Sequence, residues 1–289
     1  MRYNNYAAAE ADYATALEKS VSPNSNYKKD EVYNAMSKQI YQKVVAQGTA
    51  LPENWTIQRA LEEAEKAYEV KPLRYYLLQQ GHCLFTQKDY AKAYEKYLAV
   101  CLNESADTTQ WSQQSEKETW YYATRAFELS GGDSVKAVAL MDSVIAHLPR
   151  PVEMSDAVYY LERATRLERI GEYRKAVADY NFYEDVVGRQ NLTDRFFALR
   201  SQVELAARMS QQALDDMHLA MRRNPQHYFY AQECARIYLV VGQYDNAVTY
   251  GLKSLELRSD NPEVHRLLAL AYEKLGNAEE AAKHKALAE

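Results

Sequence analysis

Small residues recur along this chain in pairs whose members are seven positions apart, within apolar stretches of helical spacing. Residues seven apart lie about two turns apart on one helix face, where small side chains let a neighbouring helix approach closely. Successive pairs are separated by 51, 33, 44, 39, 37, 34 and 34 residues. The pairs are Ala9/Ala16, Ala60/Ala67, Ala93/Val100, Ala137/Val144, Ala176/Tyr183, Ala213/Ala220, Ala247/Ser254 and Ala281/Ala288. This pattern predicts packed helices repeated every 34 residues or slightly more.

The periodicity predicts about fifteen helices and no strand. The first helix of each pair is expected at 29–46, 74–86, 114–130, 155–169, 193–207, 228–241 and 262–275. Second helices are expected at 5–19, 55–69, 89–102, 134–147, 173–186, 210–222, 244–257 and 278–287. Asn261 before Pro262 indicates a helix start with a capping side chain and a proline in the first turn. The sequence therefore predicts an all-α fold of antiparallel helix pairs.

Other residue types recur in the same phase as the small-residue pairs. First helices carry Trp120, Gly81, Tyr238 and Tyr272. Second helices carry a large or aromatic residue at Tyr13, Tyr97, Tyr180 and Met141, and the units end with Pro72, Pro149 and Pro225. These positions resemble the tetratricopeptide repeat (TPR), a helix–turn–helix unit of 34 residues. The resemblance implies one right-handed α-solenoid over 1–289. Its units would be 1–27 (partial), 28–73, 74–116, 117–156, 157–193, 194–227, 228–261 and 262–289.

Four spacings exceed 34 residues and predict local insertions. The longest lies at 48–54, and a second at 103–116 carries Trp111, which is either a local lid or a packing anchor. Gly131 and Gly132 lengthen one turn by a residue. The last helix is polar enough to cap a solenoid, whereas the first is a second helix without its partner. We therefore expect the chain to begin inside a longer array, with upstream repeats packing on the first helix.

Composition and charge exclude several classes of protein. The formal net charge is −5, and nucleic-acid binders are usually basic, so no nucleic-acid partner is expected. No apolar run approaches the ~20 residues of a membrane helix. The first residues do not form a signal peptide, which leaves the cytoplasm or, with an upstream signal, the periplasm or envelope. Cys83, Cys101 and Cys234 are expected to be buried and unpaired.

The sequence contains none of the common catalytic motifs: no phosphate-binding glycine loop, nucleophile elbow or metalloprotease helix. We therefore expect no enzyme activity, no cofactor and no metal site. Adjacent His82 and Cys83 point about 100° apart on a helix and rarely share one ion. The neighbouring carboxylates Asp215 and Asp216 are expected to diverge on solvated helix faces.

Arg163, Arg166 and Arg169 follow one stripe of a predicted helix and are interleaved with Glu162 and Glu168. The mixture of signs favours an ion-paired surface over an anion site.

In the family that the sequence resembles, first helices line a concave face that holds peptides or partner segments. Placing this chain on that register predicts an aromatic groove near 75–85 and mixed charge further on. The lysine, arginine and asparagine clamp that one branch of the family uses for a partner's C-terminal carboxylate is absent. The predicted groove residues are Tyr75, Leu78, His82, Phe85, Tyr121, Arg125, Leu161, Arg169, Gln202, Phe229, Gln232 and Arg236.

The expected function is a non-catalytic scaffold that binds a peptide or protein segment on this concave face. Two alternatives stay open. The chain could be the ligand-binding part of an exported bacterial envelope or glycan-uptake protein, since exposed aromatic rings can stack on sugars. It could also be the regulatory repeat region of a larger enzyme. Tyrosine accounts for 25 of 289 residues, and most of these rings are expected to fill repeat cores.

Overall fold

The structure is a computed structural model that describes residues 6–22, 24–46, 51–102 and 111–289. Its regular structure in these ranges consists of fifteen α-helices and one short 3₁₀ turn, without any strand. The chain divides into two compact units, Met1–Pro151 and Val152–Glu289. The all-α repeat architecture predicted from the sequence is confirmed. The repeat boundaries, the single array and its right-handed sense stay predictions.

The first unit contains seven helices, and consecutive helices pack against one another. The pairs α2/α3, α4/α5 and α6/α7 follow a leading helix α1 that has no buried residue. Their bounds are α1 Tyr6–Lys19, α2 Lys29–Val45, α3 Ile57–Val70, α4 Arg74–Thr86, α5 Tyr90–Cys101, α6 Gln113–Leu129 and α7 Ser134–Ala146.

The second unit contains four helix pairs, α8/α9, α10/α11, α12/α13 and α14/α15, each packed on the next pair. The bounds are α8 Met154–Arg169, α9 Tyr173–Val187, α10 Asp194–Ala206, α11 Ser210–Arg223, α12 Tyr228–Val240, α13 Tyr244–Leu257, α14 Pro262–Lys274 and α15 Ala278–Ala286. A 3₁₀ turn, Arg189–Asn191, follows α9. In both units every predicted helix is confirmed within two residues at each end.

The small residues of the sequence pattern lie at the helix contacts. Ala60, Ala93, Ala176 and Ala213 are completely buried, because the neighbouring helix packs directly on each of them. Gly251 serves the same purpose on α13: a Cβ built there would lie 2.7 Å from Leu268 Cδ2 on α14. Small residues at these contacts set the spacing between neighbouring helices.

A short turn joins the two helices of each pair except α2/α3, whose connection at 46–56 lies partly outside the described residues. Five turns comprise three residues (87–89, 170–172, 207–209, 241–243 and 275–277), and the turn at 130–133 has one more, as the two glycines predicted. One residue in each turn has a left-handed backbone. Gly242 and Gly276 take it at φ of 78° and 77°, whereas Arg208 takes it at φ of 63° with a side chain attached. The connections between pairs vary more, from 71–73 to 102–112.

Several local expectations need correction. Asn261 precedes α14 but its side chain does not cap the helix, because its Nδ2 donates to Gln232 Oε1 at 2.8 Å. Cys83 and Cys234 are buried as expected, whereas Cys101 is half-buried. The Arg74 guanidinium lies over the Trp111 ring, with its Cζ 4.6 Å from the ring centroid. This contact favours a packing anchor over a lid. The predicted insertions at 48–54 and 103–116 lie partly outside the described residues.

Trp55 is buried and its ring meets Tyr6 edge-on. Its indole N–H donates to Glu10, and Arg59 forms a bidentate pair with the same carboxylate. These bonds attach α1 to the rest of the first unit. No helix in the described ranges is both long and apolar enough to cross a membrane.

Candidate functional site

First helices of the second unit form a groove from two adjoining cavities of about 540 Å³ each. Arg195 and Leu199 on α10 line both cavities, and they join the two into one surface. Leu161 and Thr165 on α8 line one side, and Gln202 and Phe229 line the other. The structure thus brings together three predicted groove residues: Leu161, Gln202 and Phe229. We call this surface the unit 2 groove.

Helical spacing explains why these side chains share one surface. Arg195, Leu199 and Gln202 follow one another at intervals of four and three, and Leu161 and Thr165 at four. Residues at such intervals lie on the same face of a helix. The first helices therefore present one stripe each to the groove.

The unit 2 groove combines apolar and polar chemistry. Leu199 is 54% exposed, and Leu161 and Phe229 are half-buried beside it. Gln202 is exposed and carries both a hydrogen-bond donor and an acceptor. An apolar floor with a side-chain amide can hold a partner's apolar side chain and bond to its backbone.

A fixed carboxylate lies at one end of the unit 2 groove. Asp194 accepts from Tyr230 Oη at 2.8 Å and from Asn224 Nδ2 at 3.1 Å. These two hydrogen bonds lower the pKa of Asp194. Burial, with the bond to Asp194, raises the pKa of Tyr230 to about 12. Asp194 therefore stays ionised, and Tyr230 stays a hydrogen-bond donor.

The other predicted residues of the second unit are engaged locally. Gln232 accepts from Asn261, and Arg236 bonds to the buried Glu233 on its own helix. Arg169 is exposed at the end of α8. These three residues do not line the two cavities of the unit 2 groove.

In the first unit, the predicted residues on α4 form part of an aromatic cluster. His82 Nδ1 lies 2.9 Å from Tyr97 Oη, and burial, assisted by Lys38, lowers the pKa of His82 to about 4. Phe85 meets Tyr90 edge-on, and the half-buried Leu78 packs against the same core. His82 is therefore a neutral core residue at physiological pH.

Tyr75 donates its hydroxyl to Tyr76 at 2.8 Å, and the Lys38 ammonium lies 5.5 Å from the Tyr75 ring centroid. On α6, Tyr121 is half-buried and Arg125 is exposed, with its guanidinium 4.0 Å from Glu128.

Sequence reasoning missed Tyr122, which lies next to the predicted Tyr121. Its exposed ring stacks on Tyr97 and meets His82 edge-on.

A third cavity of the second unit, of about 580 Å³, lies between α9, α10 and α11 and was not predicted. Arg200 is buried at its base. Its guanidinium donates to both oxygens of Asp216, at 2.6 and 2.9 Å, and to Glu184. The solvated environment predicted for Asp216 is wrong, because this carboxylate is buried against Arg200, whereas Asp215 is exposed as expected. We call this space the charged cavity.

The carboxylates of the charged cavity differ in their response to burial. For Glu184, burial opposes ionisation, but hydrogen bonds from Arg189 and Arg200 outweigh it and lower the pKa. For Asp216, burial raises the pKa and the bonds from Arg200 offset it only in part. Burial, with the nearby charge of Asp216, raises the pKa of Glu204 to about 8. Glu204 is thus mostly protonated at neutral pH.

The predicted arginine stripe on α8 is only partly a surface. Arg166 is buried and bonds to Glu162 on its own helix. Arg163 reaches across to α9, where Asp179 accepts from its Nε at 2.8 Å. The predicted ion pairing is confirmed, but Arg166 and Asp179 are buried rather than on the surface.

Solved structures similar to this chain include a TPR protein. The C-terminal part of a TPR repeat-containing protein from Cytophaga hutchinsonii covers 88% of this chain and 93% of its own, with 13% identity and a TM-score of 0.57. MamA covers 60% of this chain and 89% of its own, with 16% identity and a TM-score of 0.50. No protein-family model and no curated protein matches the sequence. The chain has the TPR fold, so the resemblance noted from the sequence is confirmed for the fold.

Proposed function

We propose that this protein is a non-catalytic interaction scaffold whose unit 2 groove binds a segment of a partner protein. The observation that carries the proposal is the junction of two cavities at Arg195 and Leu199 on a continuous first-helix surface. A surface shared by successive repeats suits an extended ligand, because each repeat adds one stripe of contacts.

The chemistry of the unit 2 groove favours a polypeptide over a sugar. A peptide offers alternating apolar side chains and backbone amides, which match Leu199 and Gln202. A sugar would need an exposed ring face, but Tyr180 and Tyr230, which line the cavities, are buried. Phe229 is half-buried, and the exposed His227 ring is already stacked on Tyr230. The glycan-uptake alternative therefore has less support in this unit.

A peptide library displayed on phage tests the proposal. Peptides selected on the wild-type chain are measured against Leu199→Asp and against the matched control Leu252→Asp. Leu252 is an exposed leucine on α13, a second helix. Burying a leucine side chain contributes about 1.5 kcal/mol or more, so we expect at least about a tenfold loss for Leu199→Asp. The control is expected to bind as the wild type does, and circular dichroism checks that both variants fold.

Equal binding by both variants would place the ligand outside the unit 2 groove. Selection of no peptide, together with binding on an oligosaccharide array, would replace the proposal with the glycan alternative.

A further inference from the structure

We propose that the charged cavity is a second binding site, which takes a guanidinium or alkylammonium group on the carboxylate of Glu204. Glu204 is 4% exposed and lines the cavity. Its Oε2 has no hydrogen-bond partner among the described residues. Buried polar atoms are normally paired, so an unpaired carboxylate oxygen beside a cavity marks where a donor is missing. This site goes beyond the proposed function, because it lies between α9, α10 and α11 and shares no lining residue with the unit 2 groove.

The arginine beneath the cavity cannot serve an anionic ligand. Arg200 donates Nε and Nη2 to Asp216, and Nη1 to Glu184 and to Asn181. Four of its five N–H groups are therefore occupied. An anion would find one N–H group at most, beside two carboxylates that repel it, unless it displaced one of them from the buried guanidinium, which is costly.

The charges left over favour a cation. Arg189 and Arg200 both bond to Glu184. The charges of these two arginines therefore balance the negative charges of Glu184 and Asp216. The cavity lining also contains Asp185, Asp215 and Glu204 as acids but only Arg222 as a further base. The arriving group thus meets a negative surface in a partly desolvated space, where attraction between charges is strong.

The shape of the cavity also fits a cation on an aliphatic stem. Met209 on the α10–α11 turn and Leu219 on α11 line it beside the carboxylates. Lysine and arginine side chains pack their methylene groups on such apolar residues while their charged ends reach polar partners. A volume of about 580 Å³ leaves room for one such side chain.

Binding is coupled to one proton. Burial and the charges of Asp216, Asp215 and Glu184 outweigh the opposing charge of Arg200 and raise the pKa of Glu204 to about 8. A bound cation favours the ionised carboxylate, so the Glu204 proton leaves to the solvent as the ligand enters. Affinity should therefore fall as the pH is lowered below 8.

The test uses N-acetyl-arginine amide, whose guanidinium stays charged at every pH used. Its dissociation constant is measured by calorimetry on the full chain at pH 6 and pH 9. Since the competent fraction of Glu204 is about 1% at pH 6 and about 90% at pH 9, binding should weaken roughly 100-fold between them. Calorimetry in buffers of different ionisation enthalpy should detect the release of about 0.9 proton at pH 7.

Glu204→Gln is the decisive variant, because it replaces a mostly neutral acid with a neutral amide of the same shape and should leave the fold intact. We expect it to abolish the pH dependence and to weaken binding at pH 9 at least tenfold. Glu256→Gln, an exposed site on α13, is the matched control and should bind as the wild type. Leu199→Asp should also leave this binding unchanged, which separates this test from that of the groove.

Spermidine, titrated in parallel, identifies the source of the cation. Tighter binding of spermidine would assign a free polyamine, and tighter binding of the arginine amide would assign a basic side chain of a polypeptide. Equal affinity of wild type and Glu204→Gln at pH 9 would overturn the proposal. Failure of both probes to bind would also overturn it. A Glu204 carboxyl carbon that titrates near pH 4.5 by NMR would overturn its proton coupling.

Discussion

The substitution Arg200→Met tests how the charged cavity contributes to stability. Methionine retains most of the apolar stem of arginine but removes the guanidinium. Asp216 and Glu184 then lose a buried partner, and within the described part of the chain Asp216 bonds to no second arginine. Removing one member of a buried ion pair typically costs about 3–5 kcal/mol, because the remaining charge stays desolvated.

Arg189→Met is the matched control, since Arg189 bonds to the same Glu184 carboxylate but its side chain is 66% exposed. Exposed pairs contribute about 0–1 kcal/mol. The difference between the two variants therefore measures what the buried guanidinium, with its bonds to Asp216, contributes beyond an exposed pair to the same Glu184. We expect Arg200→Met to be the more destabilised by about 2 kcal/mol or more.

Urea unfolding measures both free energies, and amide hydrogen exchange shows whether the loss is confined to α9, α10 and α11. The sign of the pH dependence follows from Glu184. Its pKa is lowered in the folded wild type, so its stabilisation is present above the ordinary value of 4.5 and is lost as the pH falls through the folded value. The cost of Arg200→Met should therefore shrink in acid, as the stranded carboxylates take up protons.

Equal destabilisation by the two variants at pH 7.5 would refute this reasoning. It would mean that Arg200 gains no more from its buried bonds than an exposed arginine does.

Three further predictions concern packing, backbone and charge. Gly251→Ala should destabilise the second unit by about 1–3 kcal/mol in urea, because its Cβ overlaps Leu268, and should cost less when Leu268 is shortened to valine. Arg208→Gly should raise stability by about 0.5–1 kcal/mol, because glycine adopts the left-handed backbone of this position without the steric strain of a side chain. An unchanged urea midpoint would contradict this. His265 Nδ1 lies 2.9 Å from His284 Nδ1, so one of the two rings donates a hydrogen bond to the other. Burial, with His265, lowers the pKa of His284, so stability should fall as the pH drops below 6.5; hydrogen exchange in α15 measures it, and His284→Gln should remove the effect.

Helix positions were predictable from the sequence because the repeat constrains them many times over. The small-residue pair Ala213/Ala220 and its equivalents mark each second helix, and the short turns leave little freedom in the helix ends. Local periodicity carries this information, since a buried stripe needs the same spacing in every helix.

Contacts between helices were less accessible to sequence reasoning. Asp215 and Asp216 are identical neighbours in the sequence, and only the packing of α10 decides which of them is buried. One signal was available: Arg163 and Asp179 are sixteen residues apart, and so are Arg200 and Asp216 in the next pair. A charge pair that recurs at the same separation indicates a contact between the two helices of a repeat.

The contrast between fixed turns and variable connections bears on how such a chain can change length during evolution. A residue added to a three-residue turn such as 207–209 would change the pairing of two helices. A residue added between pairs, as beside the exposed Lys71 and Pro72, changes only a surface segment. Insertions are therefore tolerated at the joints between repeats, and these joints are the natural places to graft a reporter or a foreign epitope without disturbing the stack.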